Sequence, residues 1–295
     1  MSEVIPWKNS LHGGHSKAFC DHAYDSIEDM IEAAIGVGYN VWGVTEHAPR
    51  LGPEFLYITE QALGWTVETL EEKFDAYAAY MLEMQKTYGD RITLLRGFEC
   101  EVVPHDRYIE IMQGYRERYN FKYMVGSVHY VNGTMIDFSP DMFMEGAEKN
   151  GGVEGLAVAY YEHIAAMVTA LKPEVVGHLD LIRLHAPDEE SVATPKVRAA
   201  AEATLEVIAQ EGSILDINVA GLRKNLGRPY VAPWLLERVK AMDIGVCFGD
   251  DSHGIDQVGF GLEETRQYLL DNGIESVTTL LPNGTGGVKK EAIAL

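Results

Sequence analysis

Three of the chain's ten histidines, His12, His15 and His22, fall in the stretch SLHGGHSKAFCDHA, residues 10–23. Farther along, a histidine or a carboxylate repeatedly follows a short apolar run. Glu46-His47 follows VWGVT (41–45), Glu99 follows ITLLRGF (92–98) and His129 follows YMVGSV (123–128). His178 closes EVVGH (174–178), and Asp250-Asp251-Ser252-His253 follows IGVCFG (244–249). A single histidine at a strand end usually packs in the core or faces water. Six strand ends finished in the same way ask for a common purpose. Imidazole nitrogens and carboxylate oxygens together suit zinc, iron or manganese. A mononuclear catalytic zinc takes three protein ligands and keeps one position open. The nine donors His12, His15, His22, His47, Glu99, His129, His178, Asp251 and His253 exceed the needs of one ion and can serve two or three, with a carboxylate shared. Divalent ions clustered in this way suit in-line displacement at phosphorus, because they hold both the attacking and the leaving oxygen.

Such donors need a scaffold that gathers strand ends. The apolar runs above, together with SILDIN (213–218) and a strand ending near Ser10-Leu11, read as buried parallel strands. Amphipathic stretches lie between them, at 26–37, 66–88, 154–171, 195–210, 232–242 and 262–272. In the first, Ile27, Met30, Ile31, Ala34 and Ile35 recur at helical spacing behind a cap at Ser26 or Asp25. Pro173 and Gly212 stop two of the others. Seven strand-then-helix units predict an α/β fold closed into a barrel, and such barrels carry their active sites at the C-terminal ends of the strands. With no internal repeat or low-complexity segment, residues 1–295 read as one domain. The segment after about residue 282, from PNGTGGVKKEAIAL, reads as a loosely held tail.

The bulk properties exclude several partners. Lys and Arg number 24 against 45 Asp and Glu, a net charge of −21. A nucleic-acid backbone or an anionic membrane needs a basic footprint that this chain lacks. A small phosphorylated ligand stays open, because bound metal charge overrides net charge locally. The three cysteines, Cys20, Cys100 and Cys247, form no CxxC motif or disulfide framework. The first residues lack the layout of a signal peptide, and no apolar run reaches 18 residues. A cytoplasmic protein is the expectation; the oligomeric state is left open.

These motifs, in this order and at strand ends, resemble the PHP (polymerase and histidinol phosphatase) family, and most of all its stand-alone histidinol-phosphatase branch. The likeness runs from His12 to about Gly261. The family's opening HxH is matched by His12-Gly13-Gly14-His15, one residue longer, where glycine could take a positive φ and absorb a bulge. His22 in FCDH matches a third histidine, and Glu46-His47 the [D/E]H motif. Glu99 matches the strand-end glutamate, His129 the SxH histidine, His178 the GH histidine, and Asp251 with His253 the DxH motif. The resemblance implies a distorted seven-stranded (β/α)7 barrel. It also implies two to three divalent ions: one on His12, His15, Glu99 and Asp251, one on Glu99, His129 and His178, and one on His22, His47 and His253. Glu99, Asp251 and His253 would then carry the metal-assisted catalysis.

The implied activity is a phosphoric monoester hydrolase that converts L-histidinol phosphate to L-histidinol and phosphate in histidine biosynthesis. A metal-bridging hydroxide would attack phosphorus, since metals lower the pKa of bound water from about 15.7 towards 7. Alternatives are a PHP phosphoesterase for another phosphomonoester or a nucleotide, an amidohydrolase-like deaminase, and a non-catalytic metal-binding module. Arg183, and Arg223 or Lys224 in NVAGLRKNLGRP, are expected to grip the phosphate. Asp137 or Glu101 would meet the substrate's ammonium group. Glu46 and Asp250 would orient ligands from behind. Cys20, between two ligands, reads as packing.

Overall fold

The computed structural model describes residues 6–224 and 226–295. In chain order the elements are β1 (Asn9–Gly14), α1 (Ile27–Val37), β2 (Val41–Val44), α2 (Ile58–Ala62), α3 (Val67–Tyr88), β3 (Thr93–Arg96), β4 (Glu99–Cys100), α4 (Tyr108–Tyr119), β5 (Val125–Gly126), β6 (Tyr130–Val131), β7 (Thr134–Met135), α5 (Pro140–Lys149), α6 (Val153–Leu171), β8 (Val175–Val176), α7 (Pro195–Glu211), β9 (Ile214–Asn218), α8 (Ala220–Arg223), α9 (Pro233–Ala241), β10 (Val246–Ser252), α10 (Leu262–Asp271), β11 (Ser276–Pro282) and β12 (Val288–Ala294).

The main sheet is parallel, in the order β3-β2-β1-β10-β9-β8-β5-β4. Its two edges, β3 and β4, are one stretch of chain interrupted at Gly97-Phe98. β3 pairs with β2 and β4 pairs with β5, and a bridge joins His47 to Glu99. The sheet therefore closes on itself as seven strands, distorted where residues 93–100 turn the corner.

The barrel is built in layers, because alternate residues of a strand face inward. Leu11, Val41, Leu95, Val125, Val175, Ile214 and Cys247, one from each strand, form an apolar floor with Tyr123 and Leu280. Each such buried aliphatic side chain contributes roughly 1.5–3 kcal/mol. Two residues on stand Gly13, Gly43, Gly97, Ser127, Gly177, Asp216 and Gly249, a layer mostly without side chains. The space they leave is used: a Cβ at Gly97 would lie 2.5 Å from the Tyr123 ring, and one at Gly249 would lie 1.9 Å from Asp216 Oδ1. Two residues further come His15, Thr45, Glu99, His129, Leu179, Asn218 and Asp251. The polar layer thus sits on an apolar floor at the C-terminal ends of the strands. Outside, the helices seal a second and larger core against the barrel.

Helix ends follow their caps. Ser26, Thr66, Ser139 and Thr194 each accept a backbone N–H of the first turn, and Gly38 and Gly212 end α1 and α7 in the left-handed region. The tail expected to be loose after residue 282 is instead β12, antiparallel to β11 from Ser276↔Ala294 to Pro282↔Val288. Leu280 of that hairpin plugs the barrel floor, which is why the segment is held. Among the described residues no helix is long and apolar enough to cross a membrane.

Candidate metal centre

His12 and His15 are three residues apart, which on a regular strand would send them to opposite faces. Residues 10–14 are irregular: the register slips between His12 and Gly14 against β10, and between Ser10 and Gly14 against β2. The distortion aims both rings inward. The glycines serve this by close approach rather than by positive φ, since a Cβ on Gly13 would meet the Gly43 carbonyl at 1.9 Å. Two non-glycine residues among the candidate ligands do lie in the left-handed region, His178 (φ 23°) and Asp251 (φ 47°). Local strain of this kind gathers at functional sites.

Glu99 is the hub. Its Oε1 lies 3.2 Å from His178 Nε2, 3.4 Å from His12 Nε2 and 3.6 Å from His129 Nε2. Its Oε2 lies 2.8 Å from His47 Nδ1 and 3.9 Å from His15 Nε2. Asp251 Oδ1 is 3.6 Å from His15 Nε2, 3.9 Å from His253 Nδ1 and 4.0 Å from His12 Nε2. Most of these separations are long for hydrogen bonds. They match two ligands on one tetrahedral ion, ~3.4 Å apart for bonds of ~2.1 Å. Buried polar atoms normally find partners, yet His12 Nε2, both ring nitrogens of His15, His178 Nδ1 and His253 Nε2 have none. Donors of His12, His15 and Asp251 lie within 4.8 Å of one another. So do those of His12, Glu99 and His178, and those of His15, Cys20, His47 and His253. The donor set fits divalent ions.

Outer partners fix the ring tautomers. Asp216 Oδ2 accepts from His12 Nδ1 (2.9 Å), Glu101 Oε1 accepts from His129 Nδ1 (2.9 Å), and the Asp251 carbonyl accepts from His253 Nδ1 (3.1 Å). In each ring Nε2 is left with its lone pair towards the centre. Glu46 Oε1 accepts from the Ser16 N–H and hydroxyl, while Oε2 stands 3.7 Å from His15 Nδ1. Burial alone would raise the Glu99 carboxyl, but His12, His47 and His129 around it hold it well below the usual range. Burial and neighbouring His15 push His47 down to about 3. Burial would lower His15 and His129 as well, yet the carboxylates beside them raise the two to about 9 and about 10. The centre calls for positive charge, which divalent ions would supply.

A cavity of about 280 Å³ opens onto this centre, with Lys224 and Asp137 at its polar edge and Tyr57, Met135, Phe138 and Leu181 on its apolar side. Among expected ligands, His22 is the outlying one. Its ring stacks on His253 at 4.6 Å, its Nδ1 is 3.0 Å from Asp21 Oδ1, and its side chain is 40% exposed. Arg223 donates to the Asp251 carbonyl (2.7 Å) and flanks His22 and His253 from a neighbouring opening.

Three expectations fail on geometry. Arg183 does not line the cavity: its Nε meets Asp180 Oδ2 at 2.6 Å, and it donates to the Pro229 carbonyl. Asp250 faces the outer core, where Tyr39 and Trp42 donate to it at 2.5 and 3.2 Å, because successive residues of a strand point to opposite faces. Glu101 is fully buried behind His129 and cannot reach an ammonium group. Asp216 and Glu101 are the outer partners missed in the sequence. A carboxylate at the inward, alternate position of the apolar strand SILDIN is the signal that marks Asp216. Asp216→Asn is expected to weaken metal affinity by ~10–100-fold, as outer partners do, measured by chelator competition.

Residues 12–220 match the PHP domain family. The chain is 34% identical over 282 residues to a probable histidinol-phosphatase of Schizosaccharomyces pombe, covering 94% of this chain and 91% of that one. The crystal structure of a putative histidinol phosphatase from Listeria monocytogenes superposes with a TM-score of 0.75 at 25% identity, over 87% of this chain and 99% of that one. A histidinol phosphate phosphatase from Lactococcus lactis, solved with zinc, L-histidinol and phosphate, shares the fold at 16% identity, with a TM-score of 0.71 over 96% of this chain and 99% of that one.

Proposed function

The chain belongs to the PHP domain family, and from that premise we propose that it is a metal-dependent phosphomonoesterase that hydrolyses L-histidinol phosphate to L-histidinol and phosphate, a step of histidine biosynthesis. The observation that carries the reading is Glu99, whose two oxygens face imidazoles of five histidines at the floor of a cavity. His12, His15 and Asp251 would hold one ion, and Glu99, His129 and His178 a second, with Glu99 reaching both. His47 and His253, with His22 outermost, would hold a third. Bound divalent ions, whether zinc, iron or manganese, lower the pKa of water and neutralise phosphate oxygens.

The chain's own residues do the rest. Asp216 and Glu101 hold Nδ1 of His12 and His129 and so aim Nε2 of each ring inward. Lys224 meets the phosphate at the cavity edge, in place of Arg183. Asp137, whose carbonyl accepts from His185 Nε2 (3.1 Å), meets the ammonium group. Tyr57, Phe138 and Leu181 offer the apolar wall that an imidazole ring needs. All three cysteines are buried and unpaired, which supports placing the protein in the cytoplasm.

The test is product analysis of histidinol phosphate turnover. The expected result is one phosphate and one histidinol per turnover, with no ammonia. Ammonia released while the ester survives would assign the site to deaminase chemistry. Asp137→Ala should cost histidinol phosphate at least ~10-fold more in kcat/KM than it costs an aryl phosphate, since only the former presents a cation to a charged hydrogen-bond partner.

A further inference from the structure

We infer that the buried Arg50–Glu60 ion pair is a positioning device for substrate selectivity, setting the ring of Tyr57 as the wall against which the substrate's imidazole packs. The inference rests on the histidinol phosphate reading above and deepens it by naming what places that wall. Arg50 and Glu60 are 1% and 3% exposed and bond to each other through Arg50 Nη2 and Glu60 Oε1. A buried ion pair is a weak source of stability, because desolvating both charges offsets their attraction. Its better-attested use is to specify one arrangement among several. Here the arrangement is that of residues 51–65. This segment carries one helical turn at Pro53–Phe55 and the five-residue α2, and a helix that short is unstable alone.

The ion pair reaches both pieces. Arg50 Nε donates to the Phe55 carbonyl (3.0 Å), and Glu60 Oε2 accepts the Tyr57 N–H (2.7 Å), reaching back over the first turn of α2. The Arg50 guanidinium then covers the Tyr57 ring, its carbon 3.6 Å from the ring centroid. Tyr57 is thus gripped by its backbone and by its ring, and it lines the cavity. The grip is tied to the metal centre at two points. Arg50 follows the candidate ligand His47 by three residues, and the Ala48 N–H between them donates to the Glu99 carbonyl (2.9 Å). The Tyr57 hydroxyl donates to Glu101 Oε1 (3.4 Å), the oxygen that also accepts from His129 Nδ1. The wall therefore stands at a fixed distance from the candidate metal ligands, and that distance is the span a ring-bearing phosphate ester must match. An aromatic contact of the right geometry is worth more than its buried area alone. Lysine in place of Arg50 would keep the charge but lose the flat stack and the forked donors.

The test compares L-histidinol phosphate with O-phosphoethanolamine, which carries the same phosphate and ammonium groups and no ring, on the metal-loaded full-length chain. The second compound is followed as substrate or as competitive inhibitor. The double variant Arg50→Met/Glu60→Leu removes both charges together, since removing one alone strands the other in the interior. It should keep its metal content and raise KM for histidinol phosphate by ~10-fold at nearly constant kcat, as loss of a binding contact does. Its constants for O-phosphoethanolamine should match those of the wild type. Arg50→Lys, which keeps the charges paired, should show the same selective loss, and it decides the matter if the double variant fails to fold. A role in stability alone would lower metal content or melting temperature and weaken both compounds alike. That result, or an unchanged KM for histidinol phosphate in a folded variant, would overturn the inference while leaving the functional reading in place. A wild-type protein that releases no phosphate from histidinol phosphate would overturn both.

Discussion

Glu99→Gln is expected to lower kcat/KM for L-histidinol phosphate by at least ~10³-fold, about 4 kcal/mol of transition-state stabilisation, with the protein still folded. Glutamine keeps the shape of the side chain but removes its charge and turns one oxygen into an N–H donor. That donor would face imidazole nitrogens that now face an acceptor: His47 on one oxygen, His12, His129 and His178 on the other. Two ion positions lose a shared ligand at once. Loss of one fixed electrostatic partner at a reaction centre costs ~10²–10³-fold, and loss of an outer partner ~10–100-fold. A charge common to two positions should cost more than either. Glu46→Gln, one layer out beside His15 and Ser16, should stay within the outer-partner range. The fold survives because the apolar floor and the outer core lie elsewhere. Kinetics, elemental analysis and circular dichroism of the two variants check this. A Glu99→Gln enzyme within tenfold of wild type would contradict the central place given to Glu99.

Stripping the ions should abolish turnover and soften the barrel together. A group that binds only the folded state stabilises it by about 2.7 kcal/mol at 100 times its Kd. For a chain of this length such a loss lowers Tm by about 4 °C for each ion. Elemental analysis should find two to three transition-metal ions per chain before treatment. Phosphate release after chelation should fall to background and return on addition of zinc, iron or manganese. Melting curves that do not move on chelation, or full activity with one ion or none, would contradict the multinuclear centre.

Much of the fold could be read from period and punctuation. The inward layer Leu11, Val41, Leu95, Val125, Val175, Ile214 and Cys247 lies in apolar runs that the sequence displays, and the polar strand ends follow it four residues later along most strands. The cap at Ser26 is equally plain. Two helices outside the stretches named above carry signals of their own. α4 repeats Tyr108, Ile111, Met112 and Tyr115 at helical spacing, and α5 opens with Ser139 before Pro140. The β11–β12 hairpin is the least legible element, although Asn283-Gly284 between its two strands is a turn signal.

In the candidate site, donor types and strand ends were legible but side-chain direction was not. Asp250 and Asp251 are neighbours in sequence and point to opposite faces of one strand. Arg183 is basic and near the site in sequence, yet Asp180 takes its guanidinium first. Asp216 stands two strand positions before Asn218 and reaches His12 across the barrel, a contact between residues 204 apart in sequence. No local pattern carries that information, because the closure of the barrel creates it.

The most direct test of the account is kcat/KM for L-histidinol phosphate against an aryl phosphate, measured by phosphate release on the purified chain at matched metal loading. A clear preference for histidinol phosphate is expected, at least ~10-fold as one charged contact allows, because Asp137 and the apolar wall recognise what an aryl phosphate lacks. Equal values for the two esters, or no phosphate released from histidinol phosphate by the metal-loaded protein, would contradict it.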